Sequence, residues 1–142
     1  MTGYQDLLDA YANNHQALVI VRESIRDSVN SVRQVLLMRL GLPQSSEVVL
    51  IEGEDGQDLF LKMSFLEHKD TLRARVVINL NGANYAPDNK VSIPICFRVD
   101  DGYVVVSLPS IGGSYVMRKP EQYTDIGNEI YVWALNRLTD YQ

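Results

Sequence analysis

Between Leu72 and Leu108 the chain alternates apolar and polar residues one by one. Leu72, Ala74, Val76, Ile78 and Leu80 form one run, Val91, Ile93, Ile95, Phe97 and Val99 a second, and Val104, Val106 and Leu108 a third. Successive side chains of an extended strand point to opposite sides, so each run places its apolar members on one sheet face. A face this apolar needs a second layer over it, which excludes both an isolated sheet and an all-helical fold.

The turn signals fix how the runs meet. Asp101-Gly102 suits a two-residue hairpin turn, in which both central residues take positive φ. Centred there, the turn pairs Val99 with Val104, Phe97 with Val106 and Ile95 with Leu108, all apolar partners on one face. Asp55-Gly56 suits a turn of the same kind. Strands are therefore predicted at Glu47–Gly53, Gln57–Glu67, Thr71–Asn81, Lys90–Val99 and Tyr103–Leu108, with a weaker one near Tyr115–Arg118. Leu59, Leu61, Met63 and Phe65 join the inward set.

Helices flank this β-rich middle. Thr2 followed by Gln5 reads as a capping box, so a helix should start near Gly3. From Tyr4 the positions Leu8, Tyr11, His15, Leu18, Arg22, Ile25, Val29, Val32, Leu36 and Arg39 follow a heptad spacing, but His15, Arg22 and Arg39 interrupt it. With Val21 and Leu40 the spacing fits an ordinary amphipathic helix packed on a core better than a coiled coil. Asn13-Asn14 is a plausible break between two helices, and Gly41 followed by Pro43 should end the helical region. A C-terminal helix from about Asp125 to Tyr141 carries Ile126, Ile130, Trp133, Ala134 and Leu138 on the side predicted to be buried. The expected fold class is α+β: N-terminal helices, an antiparallel meander of five to six strands and a C-terminal helix, packed in two layers.

With 142 residues and 46% apolar content, the chain supports a single domain over residues 1–142. Its formal charge of −5 opposes nonspecific attachment to nucleic acid or anionic lipid. Cys96 is the only cysteine, so no internal disulfide forms, and no cysteine and histidine cluster suits a zinc ion. The N-terminus lacks the pattern of a secretory signal, and no apolar run approaches the ~18 residues needed to cross a bilayer. A cytoplasmic protein without membrane attachment, metal or cofactor is the expectation.

Candidate sites concentrate on the sheet face away from the helices. Val49, Ile51, Phe60, Leu66, Val77 and Val105 are expected there, which is more apolar than a freely solvated face should be. Self-association through this face, with Ile51, Phe60 and Val77 at the contact, follows from that reading. Lys62, Arg73, Arg75 and Arg98 fall on the same face, and symmetric pairing about the Gly82–Asn89 loop sets Arg73 opposite Arg98. Such a group suits phosphate or carboxylate, with Tyr103 and Tyr85 as stacking surfaces.

Catalytic signatures are lacking. His15 and His68 belong to no metal-binding pattern, and Cys96 has no base within reach on this register. Gly112-Gly113-Ser114 matches neither phosphate-binding glycine fingerprint and reads as a loop, while Asp100-Asp101-Gly102 reads as a hairpin turn rather than a calcium loop.

The order of helix, antiparallel sheet and helix, with the acidic balance, resembles small intracellular chaperones, immunity proteins and inhibitors. The expectation is a noncatalytic protein-interaction module that forms homo-oligomers or binds another protein. The alternative is a binder of a small anionic ligand such as a nucleotide, through Arg73, Arg75, Arg98, Lys62 and Tyr103.

Overall fold

The computed structural model describes residues 3–53, 71–80 and 90–139. The fold is α+β, with a five-stranded antiparallel sheet between an N-terminal and a C-terminal helix. Helix α1 runs Gly3–Arg39, followed by β1 Val49–Gly53, β2 Thr71–Asn79, β3 Lys90–Asp100, β4 Tyr103–Leu108 and β5 Gly113–Val116, and α2 runs Glu121–Thr139. The strands lie in chain order, each antiparallel to the next.

Instead of two helices divided at Asn13-Asn14, residues 3–39 form one continuous helix. Neither glycine nor proline occurs between Tyr4 and Leu40. Two asparagines cost only ~1 kcal/mol of helix propensity together, whereas a break leaves backbone groups without partners at both new ends. Termination follows the expected chemistry. Gly41 takes φ 71°, its N–H donates to the Met38 carbonyl at 3.1 Å, and the Leu42 N–H donates to the Leu37 carbonyl at 2.9 Å. That bonding pattern satisfies the last helical carbonyls, and Leu42 packs against the core.

The β3–β4 hairpin forms in the expected register. Phe97 faces Val106 and Val99 faces Val104, with Asp101 and Gly102 both at positive φ. Its apolar side continues across β2 through Leu72, Ala74, Val76 and Ile78, all buried. The first strand differs from expectation. β1 pairs directly with β2, Val49 opposite Ile78 and Ile51 opposite Val76, and the predicted Gln57–Glu67 strand lies outside the described residues. This pairing turns Val49 and Ile51 towards the helices. Val49 is fully buried in the core and Ile51 packs against it, which corrects their expected place on the outer face. Residues Gly113 and Ser114 belong to β5, so the glycine pair expected as a loop is half turn and half strand, with Gly112 at φ 83°.

Both helices lie on the inner face. The C-terminal half of α1 contributes Ile25, Val29, Val32, Leu36 and Leu37 to the core, and α2 contributes Ile126, Ile130 and Ala134. The two helices run parallel, as three contacts in rising order show. Tyr123 bonds Ser28, Gly127 abuts Val35, and the Arg39 guanidinium lies 4.0 Å over the Tyr131 ring. Trp133, expected among the buried residues of α2, sits at the margin of the core with Arg137 5.4 Å over its ring. At the start of α2, Gln122 Oε1 accepts the N–H of Lys119 at 2.8 Å, the backward half of a capping box.

The side chain of Arg33 joins α1 to the first strand and the connection before it by hydrogen bonds. Arg33 donates through Nε to the Val49 carbonyl at 3.1 Å, through one terminal nitrogen to Gln44 at 3.2 Å, and through the other to Ser46. Replacing it by alanine leaves half-buried carbonyls without donors and should cost ~1–3 kcal/mol. Arg33→Lys should recover little of that, because one ammonium cannot match a planar fork aimed at three acceptors. Urea denaturation of both variants measures this, and losses below ~0.5 kcal/mol would refute the role.

Candidate functional site

Three surfaces hold the residues that could act on something outside the chain. The first is the outer sheet face. Arg73, Arg75, Val77, Arg98, Tyr103 and Val105 share it, while Phe60, Lys62, Leu66, His68 and Tyr85 lie outside the described residues. Val77 and Val105 are 4% and 3% exposed although they belong to no helix-side cluster, so this face carries buried apolar residues of its own.

The arginines meet differently from the symmetric pairing. Arg73 stands opposite Cys96 and Arg75 opposite Pro94, while Arg98 stands opposite Thr71. The register is displaced by two residues, which keeps every side chain on its expected face and makes Arg73 and Arg98 diagonal neighbours. Local partners engage two of them. Arg75 donates through Nε to Ser92 Oγ at 2.7 Å, and Arg98 reaches Asp100 at 3.4 Å in an exposed ion pair. Tyr103 is engaged as well, with the Arg118 guanidinium 5.3 Å over its ring. Cys96, the single cysteine of the chain, lies half-buried on the same face.

The second surface is the N-terminal half of α1. Every described side chain from Gly3 to Ile20 is exposed, Val21 and Arg22 are half-buried, and Ile25 is the first fully buried residue. Along the exposed stretch Tyr4, Leu7, Leu8 and Tyr11 are 64%, 70%, 43% and 72% exposed. They lie three or four residues apart, on the same helical stripe as Ile25, Val29, Val32 and Leu36. The body covers this stripe at one end of the helix, and the other end projects beyond it. Tyr11 and His15 stack on the projecting part with ring centroids 6.2 Å apart. Asp6 and Asp9 are the only Asp, Glu, Lys or Arg residues before Arg22, and they point away from the stripe.

Reading the heptad as a stripe packed on a core missed this division. Length held the clue: 37 helical residues span ~55 Å at 1.5 Å each, whereas the longest strand, of 11 residues, spans ~36 Å. A helix half as long again as the sheet it crosses cannot be covered throughout.

The third surface is the seam between the helices, where Val35, Met38, Arg39, Thr124 and Asn128 line a shallow cavity of about 210 Å³. Deeper in the seam, Tyr123 donates its hydroxyl to buried Ser28 at 2.9 Å. Burial raises the Tyr123 pKa above 10.0, the Ser28 bond opposes that shift, and the Asp27 carboxylate adds to it. On β5 the Tyr115 hydroxyl is also raised, by burial first and then by Glu129 and Asp125 of α2. Among the described residues, no three His, Cys, Asp or Glu side chains gather where a metal ion could bind. No described helix is long and apolar enough to cross a membrane.

The Tyr123 shift carries a sign. Its folded pKa exceeds the unfolded 10.0, so the unfolded chain loses the proton first, and the contribution to stability is whole below that pH and lost as pH rises beyond it. Tyr123→Phe should cost ~0.5–1.5 kcal/mol at neutral pH through the lost bond to Ser28. The difference from the native chain should then shrink above pH 10.0. Thermal melts between pH 7 and 11 follow this, and a difference that grows with pH would contradict it.

Comparison with protein-family models, with curated proteins and with solved structures finds no match for this chain.

Proposed function

We propose that this chain is a noncatalytic protein-interaction module that works through the projecting half of α1. The supporting observation is the group Tyr4, Leu7, Leu8 and Tyr11, which is exposed and lies on the same side of the helix as the core residues Ile25, Val29, Val32 and Leu36. A soluble monomer gains nothing from ordering such a stripe, because helices draw most of their stability from packing an apolar face. The outer sheet face, where the sequence places the contact, is the weaker candidate: Val49 and Ile51 lie on the other side and Val77 is already buried. A photo-cross-linking phenylalanine derivative in place of Tyr11 should give adducts of discrete mass in cells. The same group in place of exposed Glu129 should not. Equal yields from both positions, or adducts from Glu129 alone, would overturn the reading.

A second reading, binding of a small anion, is favoured by one observation: Arg73, Arg75 and Arg98 share the outer face, with Arg73 and Arg98 diagonal to each other. On that reading a nucleotide, cyclic nucleotide or sugar phosphate at about 100 times its Kd stabilises the native chain by ~2.7 kcal/mol. A thermal-shift screen should then show the effect in the native protein and lose it in Arg98→Ala. Flat responses across the panel would end this reading.

A further inference from the structure

We infer that the occupant of the projecting stripe is the same stripe of a second copy, the two helices running antiparallel over residues 4–22. The inference rests on the interaction reading above and adds to it the partner and its orientation.

Area favours a like partner. Given ~150–250 Å² for an enclosed aromatic side chain, the exposed parts of Tyr4, Leu7, Leu8 and Tyr11 offer on the order of 500 Å². Two copies facing each other reach the ~1,000 Å² at which specific interfaces become stable. A partner contributing less apolar surface falls short of that.

Charge favours it too. The molecule carries a net −5, so two copies repel at long range, but the repulsion is small along this stripe. Asp6 and Asp9 lie on the far side of the helix, no other Asp, Glu, Lys or Arg precedes Arg22, and His15 is stacked on Tyr11. Ahead of Arg22 the stripe therefore offers no carboxylate, ammonium or guanidinium by which a strongly basic or acidic partner would be selected, and the antiparallel arrangement sets the two Arg22 side chains at opposite ends.

Orientation follows from where the body sits. From Ile25 onward the sheet and α2 occupy the side of α1 that the stripe faces. Two parallel helices joined along their stripes would each drive the other's body into that space. Antiparallel helices carry the bodies to opposite ends, and the start of one copy then stops beside Arg22 of the other. The free stretch of a second copy has the length the site admits, ~28 Å at 1.5 Å per residue. Tyr4 then lies level with the partner's Arg22, and Tyr11 with the partner's His15, around a two-fold axis near Asn13.

The test uses the full chain. Sedimentation at micromolar concentration should show twice the 16.1 kDa of one chain. The double variant Leu8→Asp/Tyr11→Asp should sediment as one chain, with Trp133 emission unchanged because neither residue touches the body. For orientation, a spin label at exposed Gln34→Cys in a Cys96→Ser background should report a separation of roughly 60 Å across the dimer, twice the rise from Asn13 to Gln34. A label distance below ~30 Å would show parallel helices and overturn the inference, as would a dimer that survives the double variant. A monomer whose Tyr11 adducts contain a different protein overturns the pairing and leaves the interaction reading standing. A monomer with no Tyr11 adducts removes both.

Discussion

The mutual burial of the inner sheet face and the C-terminal half of α1 holds this molecule together. Ile25, Val32, Leu36 and Leu37 on the helix and Ile93, Ile95 and Phe97 at the sheet centre are almost wholly enclosed. Each such side chain contributes ~1.5–3 kcal/mol when taken out of water. Apolar contact has no direction, however, and would tolerate several placements of helix over sheet. Arg33 narrows the choice, since its three bonds to the connection after α1 and to Val49 fix where the first strand begins. A directional clamp on a non-directional core gives a single arrangement.

The β2–β3–β4 part of the sheet is readable from the residues because its evidence is redundant. Alternation, turn chemistry and apolar cross-strand pairs agree at Asp101-Gly102, and the observed pairs of Phe97 with Val106 and Val99 with Val104 follow. The β2–β3 register offers less, since a long connection imposes no centre. The actual pairing is two residues away from the symmetric one, an even displacement that preserves faces and changes neighbours. β1 shows the opposite case. The turn at Asp55-Gly56 lies outside the described residues, and the face inferred from it sends Val49 and Ile51 to the wrong side of the sheet.

The candidate sites were legible in proportion to how local their evidence is. Arg73, Arg75 and Arg98 were placed on one face by alternation alone, yet their partners Ser92 and Asp100 depend on register and rotamer. The exposed half of α1 was hidden for a different reason. A periodic stripe reveals that a helix has an apolar side, and it is silent on what covers that side. Tyr4, Leu8 and Tyr11 carry the same signal as Ile25, Val29 and Leu36, and only the extent of the sheet separates them.

Because projecting and buried stretches belong to one unbroken helix, the arm never has to begin folding by itself. Starting an isolated helix is unfavourable by a factor of ~10³, whereas lengthening one adds a residue at nearly neutral cost. From Ile25 onward α1 is held by the core, and that held segment serves as a permanent seed at the arm's base. Helix can grow outwards from it and melt back towards it, with Asn13, Asn14 and the β-branched Val19, Ile20 and Val21 weakening each outward step. The length of ordered arm thus becomes a graded quantity, set by whatever packs on the stripe, while the body at its root stays intact.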